Sequence, residues 1–286
     1  RALVNRLIDQ IVGQGRCEFM DAFARPFPGL AFFAFALHAP PDDVERLNAW
    51  ATAASLPHLP GAQEAMLNLA AWIGAFVERR QGEPAYGDVI DGIMAAQIEG
   101  RPITTEEIIG TIHLLILGGL ETTAGVLGMS MVRMCQAPEI AARLRTSPGL
   151  IPGAVEEFLR LDGSLACIAR TLRHDTDLRG HHVGAGEQVL VYWASANRDG
   201  DEFPEPDRFV LDRARNRHLA FGAGPHRCAG SNLARMNLRI AYEELLRRLD
   251  DLQLQDGADV AYHCGFNRAP LSVPITFRAT SGTPPR

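Results

Sequence analysis

Phe221-Gly222-Ala223-Gly224-Pro225-His226-Arg227-Cys228-Ala229-Gly230 is the stretch that decides the fold of this chain. Three of its residues are glycines set around one cysteine, and a helical pattern follows through about Arg248. Glycine lets the backbone turn through positive φ and lets a flat group approach the chain closely. At a helix N-terminus, backbone N–H groups and the helix dipole favour a thiolate over a thiol. A thiolate there can bind a metal on one open side. A lone cysteine before a helix is ordinarily a buried structural residue; the glycines around this one favour a ligand.

Nothing near Cys228 supplies second and third ligands at zinc spacing. A metal held there would bring its own equatorial ligands, as haem does. The other cysteines, Cys17, Cys135, Cys167 and Cys264, are far apart and form no CxxC pair, as expected of a chain that keeps its thiols reduced. The 286 residues carry a net charge of −6, with 47% hydrophobic and 22% charged residues. That balance is ordinary for a globular protein and gives no bulk case for nucleic-acid binding. The longest strongly apolar run, Ile112 to Leu120, is too short to span a bilayer.

Upstream, Thr104 followed by Glu107 fits a capping box. It opens a helix of about thirty residues, to Cys135, that is free of proline until Pro138. Gly118 and Gly119 weaken its middle by roughly 1 kcal/mol each relative to alanine, so a local distortion is expected there. Gly118-Gly119-Leu120-Glu121-Thr122-Thr123 then combines small residues, an acid and an alcohol; a kinked helix with a surface acid would give the same string. Glu157 and Arg160 share a helix face at i, i+3. Such a pair is either solvated or part of a buried network.

Other helices are expected over residues 1–12, 42–54, 61–80, 138–146 and 152–161, with a short one ending near Glu99. Two short pieces are expected within Asp21 to Leu37, separated by Pro26 and Pro28. A strand fits Val189 to Trp193 and a small hairpin fits Val260 to Phe277. Asn197 to Arg217 reads as a long irregular loop of the kind that is usually functional. The fold class is mainly α with a minor β part, in one domain over residues 1–286.

FGAGPHRCAG resembles the haem-binding signature FxxGxxxCxG of cytochromes P450, most closely the bacterial soluble members. The resemblance covers essentially the whole chain and implies a haem-thiolate monooxygenase with haem b as cofactor. Cys228 would be the metal ligand, and Phe221, Gly222, Gly224 and Gly230 would shape its loop. Arg170 and His226 match contacts to the haem propionates, though each could be a plain surface residue. Gly118 and Gly119 would make room beside the haem, and Glu121 and Thr122 would supply the protons that O₂ activation requires. Glu157 and Arg160 resemble the ExxR pair, with Arg208 of Pro206-Asp207-Arg208-Phe209 as its third member. Leu114, Leu117, Leu165, Ala166, Ile168, Phe266 and Asn267 would face an apolar substrate of small or medium size, although a plain core would show the same apolar spacing.

The implied partners are O₂ and an electron donor such as a ferredoxin or flavin reductase. Arg213, Arg215, Arg217, Arg227 and Arg235, close to the cysteine in sequence, are either a basic face for such a donor or a solvated charged loop. No nucleic acid or membrane is implied, and a cytoplasmic location is expected. Relative to the family pattern the sequence lacks an N-terminal segment, and the start at Arg1 is expected to mean a cut chain, a natural short form or a segment supplied as a separate piece. Self-association that covers the gap is one expectation. An incompetent haem-thiolate fragment and a non-enzymatic haem sensor are the alternatives.

Overall fold

The computed structural model describes residues 1–55 and 60–280. Helix α1 (Ala2–Ile11) turns Val4, Leu7, Ile8 and Ile11 inward at helical spacing and leads into strand β1 (Arg16–Glu18). The segment expected as two short pieces is instead nearly continuous. Turns of π-helix at Met20–Ala24 and Phe32–Ala36 flank α2 (Pro26–Ala31). The wider turn carries the Arg25 N–H to the Met20 carbonyl at 2.8 Å. Pro26 then opens the next helix, where its missing N–H costs nothing.

Helix α3 (Pro41–Ala54) has Asp42 and Asp43 at its positive end and packs on α4 (Ala62–Gln81). Helix α5 (Val89–Met94) stops before the expected Glu99. In its place β2 (Gln97–Ile98) and β3 (Arg101–Pro102) pair around a turn at Glu99 and Gly100, both at positive φ.

Helix α6 (Thr105–Gln136) is the axis of the molecule. Its capping box is formed: the Thr104 N–H donates to Glu107 at 2.9 Å and the Glu107 N–H to Thr104 Oγ1 at 3.3 Å. The expected distortion at Gly118–Gly119 is absent, and regular α-helix continues through both. A Cβ on either glycine would meet nothing within 4 Å, so no side chain is wedged into this turn. Thr122 Oγ1 donates to the Gly118 carbonyl at 2.9 Å. The helix is long and apolar enough to cross a membrane, but Ile112, Ile116, Leu127 and Met131 are buried within the fold.

Helices α7 (Pro138–Thr146) and α8 (Ile151–Asp162) follow. Strand β4 (Cys167–Thr171) pairs antiparallel with β7 (Gln188–Tyr192), and the hairpin β5 (Thr176–Leu178) and β6 (His181–Val183) lies between them in sequence. After α9 (Trp193–Ala196), Asn197 to Arg217 contains neither helix nor strand. Helix α10 is Ser231–Arg248, so it begins just after Cys228 rather than at it. The expected C-terminal hairpin divides its strands between two sheets. Strands β9 (Tyr262–Cys264) and β10 (Arg268–Pro270) pair together, whereas β11 (Pro274–Ala279) joins β1 and β8 (Leu249–Leu254). One hydrophobic cluster runs from Val4 to Phe277.

The hairpin is seated on α6 through two glycines. At Gly125 a Cβ would lie 2.8 Å from Ser164 Cβ and 3.2 Å from the Arg268 carbonyl oxygen. Gly125→Ala is expected to cost about 1–3 kcal/mol, because neither backbone can yield without moving the hairpin. Thermal melting checks this. An unchanged melting temperature would show that the hairpin is not seated so closely.

Candidate functional site

The cysteine loop is a turn closed on itself. The Cys228 N–H donates to the Phe221 carbonyl at 2.9 Å and the Arg227 N–H to Gly224 at 3.0 Å. Gly222 and Gly224 take φ of 65° and 69°, the left-handed region that favours glycine. Cys228 is exposed, with its Sγ lying 3.9 Å from where a Gly230 Cβ would stand. His226 and Arg170 are exposed as well, the first in the loop and the second on β4.

Three structures hold this loop or the irregular segment that leads into it. The first is the buried Glu157 of α8. Arg160 Nε and Nη2 donate to its two oxygens, each at 2.8 Å. The Val210 N–H and Asn216 Nδ2 donate at 3.0 Å, and Arg213 Nε reaches both oxygens at 3.2 Å. Arg160 also ties down the irregular loop through the Asn197, Pro206 and Arg208 carbonyls. The third member of the network is therefore Arg213, not Arg208. The side chain of Arg208 is exposed and pairs with Glu205 at 2.9 Å, and only its carbonyl enters the network. In sequence both arginines fit, because the loop between them has no period from which to read direction.

The second structure is Glu156, the neighbouring residue on α8, which the sequence reading missed. His218 Nε2 lies 3.0 Å from Glu156, and Arg235 of α10 donates to it at 2.7 and 2.9 Å. The Arg235 guanidinium also covers the Phe221 ring at 4.5 Å. No sequence spacing signals this cluster, since its members come from α8, the loop and α10. The Arg213 side chain is thus largely buried, Arg235 is half-buried against Glu156, and Arg215 and Arg217 face Glu202 at 3.8 and 3.6 Å. The expected basic docking face reduces to these two matched arginines and Arg227.

Burial opposes ionisation of Glu156, but His218 and Arg235 outweigh it and bring the carboxyl down to about 2. Glu157 is lowered by Arg160 and Arg213 against the same opposition. Both carboxyls have folded-state values below their unfolded ones. The stability they provide is present above about pH 4.5, the unfolded value, and is lost as the pH falls through their folded values, about 2 for Glu156. Glu156→Gln should flatten the acid limb of a melting-temperature profile; an unaltered limb would show that this cluster does not govern acid stability.

The third structure is the bridge to α6. Ser164 Oγ donates to the Thr122 carbonyl at 2.8 Å. Beside it, a Cβ on Gly163 would stand 3.5 Å from that of Ala220, which leads into the cysteine loop. The chain then returns to the C-terminal hairpin: Leu165 bridges Asn267, and the Ala166 N–H donates to the Phe266 carbonyl at 2.8 Å. The fold therefore brings the Thr122 turn, residues 163–166 and Phe266–Asn267 together. Leu117, Leu165 and Ile168 are half-buried, whereas Leu114 and Phe266 are 72% and 66% exposed. Ala166 departs from its expected place. It is buried, held by Phe266 and Ala194 through its backbone, and offers no open surface. Asn267 Oδ1 is buried without a partner.

The donor set fits a haem. Among the described residues no three His, Cys, Asp or Glu side chains gather to hold a metal. The exposed Cys228 thiol would thus serve a metal that arrives with its own ligands. Arg170 has no carboxylate partner among them and is available to one.

A family model for cytochrome P450 matches residues 150–261. The chain is 33% identical to a steroid C26-monooxygenase of Mycolicibacterium smegmatis, over 96% of this chain and 70% of that protein. It is 34% identical to a biotin-biosynthesis cytochrome P450 of Bacillus subtilis, over 96% and 71%. A solved cytochrome P450 from Chondromyces apiculatus superposes with a TM-score of 0.89 at 29% identity, covering 98% of this chain and 71% of that one. A testosterone complex of a cytochrome P450 from Bacillus megaterium gives 0.89 at 26%, covering 96% and 76%.

Proposed function

This chain belongs to the cytochrome P450 family, whose members are haem b monooxygenases, and from that premise we propose that Cys228 Sγ is the residue that would hold its haem through a thiolate. The observation that carries the proposal is an exposed thiol in a left-handed glycine turn, tied to the acid–alcohol turn of α6 through Ser164 and Gly163. When bound, the haem supplies activation of O₂ with two delivered electrons. The protein's part is to fix, enclose and protonate. The Glu157–Arg160–Arg213 network holds the cysteine loop at its depth. Arg170 and His226 would receive the two propionate carboxylates, which need cationic or hydrogen-bonding partners. Glu121 holds a proton near Thr122, whose hydroxyl can leave the Gly118 carbonyl and pass it on.

The substrate is an apolar molecule, small to medium in size, bordered by Leu114, Leu117, Leu165, Ile168 and Phe266. The relatives named for steroids make these the first compounds to screen. Titration of the haem-loaded chain with such compounds should shift the iron from low to high spin as water is displaced. Absence of a shift with every apolar compound, alongside a shift with polar ones, would overturn the substrate class. The redox partner is a ferredoxin or flavin reductase, and the location is cytoplasmic.

A second reading is favoured by the apolar side chains left exposed around the site. With Leu114 and Phe266, Leu190 and Tyr192 of β7 stand open on a two-stranded sheet. The chain spans about 70% of the length of the relatives it matches. On this reading the chain self-associates through that face, or holds haem weakly. Light-scattering mass together with haem stoichiometry separates the two: a fully loaded monomer removes this reading.

A further inference from the structure

Two segments close over the turn of α6 that carries Glu121. The first is the π-helical stretch and α2. Leu120 Cδ2 stands 3.2 Å from a Cβ built on Gly29, and further along α6 a Cβ on Gly128 would meet Met20. Met20 and Gly29 bracket Arg25, so Arg25 runs over the turn between Leu120 and Gly128. The second segment is the C-terminal hairpin. Ala269 packs on Gly125, one turn from Glu121, and pairs across the hairpin with His263.

Arg25 is anchored at both ends of its guanidinium. Nη2 donates to the Leu271 carbonyl at 2.7 Å and Nη1 pairs with the exposed Asp21. Its Nε is buried and has no partner among the described residues. The hairpin's own arginine, Arg268, is turned away onto the Leu161 and Gly163 carbonyls. Burial raises the Glu121 carboxyl above its ordinary value, and Arg25 and then His263 pull it back. The basic side chains that act on Glu121 thus come one from each segment, Arg25 from the first and His263 from the hairpin.

We propose that Arg25 and His263 are positioning residues for Glu121, holding its carboxylate at the seam between α6 and the hairpin and linking that seam to solvent. The half-buried carboxylate faces Arg25, whose outer side is balanced by Asp21. His263 stands on the exposed strand of the hairpin, where bulk water reaches it. This rests on the reading of Glu121 as the proton donor and adds the route by which protons arrive.

An infrared carboxyl titration of the whole chain tests it, with the Glu121 band assigned by its loss in Glu121→Gln. Arg25→Gln should make Glu121 bind its proton about tenfold more tightly, and Arg25→Lys should largely restore the original titration. His263→Gln should move it in the same direction, and His263→Lys should reverse that. Melting temperatures identify variants that fail to fold, and the conservative pair keeps the test informative in that case. A Glu121 band that titrates at its original pH in both glutamine variants overturns the proposal. A shifted band combined with normal turnover by Glu121→Gln would instead uphold the coupling and remove the proton-donor reading beneath it.

Discussion

Glu157→Gln is expected to lower the melting temperature by roughly 10 °C. The carboxylate is fully buried and accepts from Arg160, Arg213, Asn216 and the Val210 N–H. A neutral amide leaves the largely buried Arg160 and Arg213 guanidiniums without their counter-charge. Breaking a buried pair from one side costs about 3–5 kcal/mol, far more than the pair contributes over an apolar replacement. For a chain of this size each kcal/mol moves the midpoint by about 2–4 °C. The same network predicts a contrast between two arginines. Arg213→Gln should destabilise nearly as strongly, and Arg208→Gln should change stability by less than about 1 kcal/mol, since its side chain makes only an exposed pair. Differential scanning calorimetry of the three variants checks this. Equal losses for Arg208 and Arg213 would contradict the assignment.

Glu121→Gln and Thr122→Ala should each reduce product formed per electron pair by about 10²-fold, the usual size of a general-acid contribution. Electrons should continue to be consumed, so the loss appears as uncoupling rather than as slower reduction. The stability effect of Glu121→Gln has the opposite sign. Burial raises the Glu121 carboxyl in the folded state, so its favourable neutral form is present below the unfolded value and is lost as the pH rises through the folded one. Above the unfolded value a carboxyl at position 121 therefore opposes folding, and glutamine should leave the chain as stable or slightly more so. A variant that loses both turnover and stability would mark Glu121 as structural.

The parts legible in the sequence were those that depend on local chemistry. The FGAGPHRCAG turn needs its glycines at positive φ, the Thr104–Glu107 box caps its helix, and Glu157 and Arg160 meet because i, i+3 residues share a face. The parts that were not legible depend on distant partners. Arg213 was indistinguishable from Arg208 until the irregular loop was folded against α8. The Glu156–His218–Arg235 cluster draws on three separate elements. Strand β4 is mostly exposed and has no alternation to betray it. The prolines at 26 and 28 suggested a break that π-turns absorb, and Gly118–Gly119 suggested a distortion that regular helix passes through. Composition revealed neither outcome, because both depend on what packs beside the turn.

The central claim is that Cys228 is the haem ligand. The carbon-monoxide difference spectrum of the reduced, haem-loaded chain tests it most directly. A strongly red-shifted Soret band, lost in Cys228→Ser, is the predicted result. A band at the shorter wavelength of nitrogen-ligated haem, or one indifferent to Cys228→Ser, would contradict it.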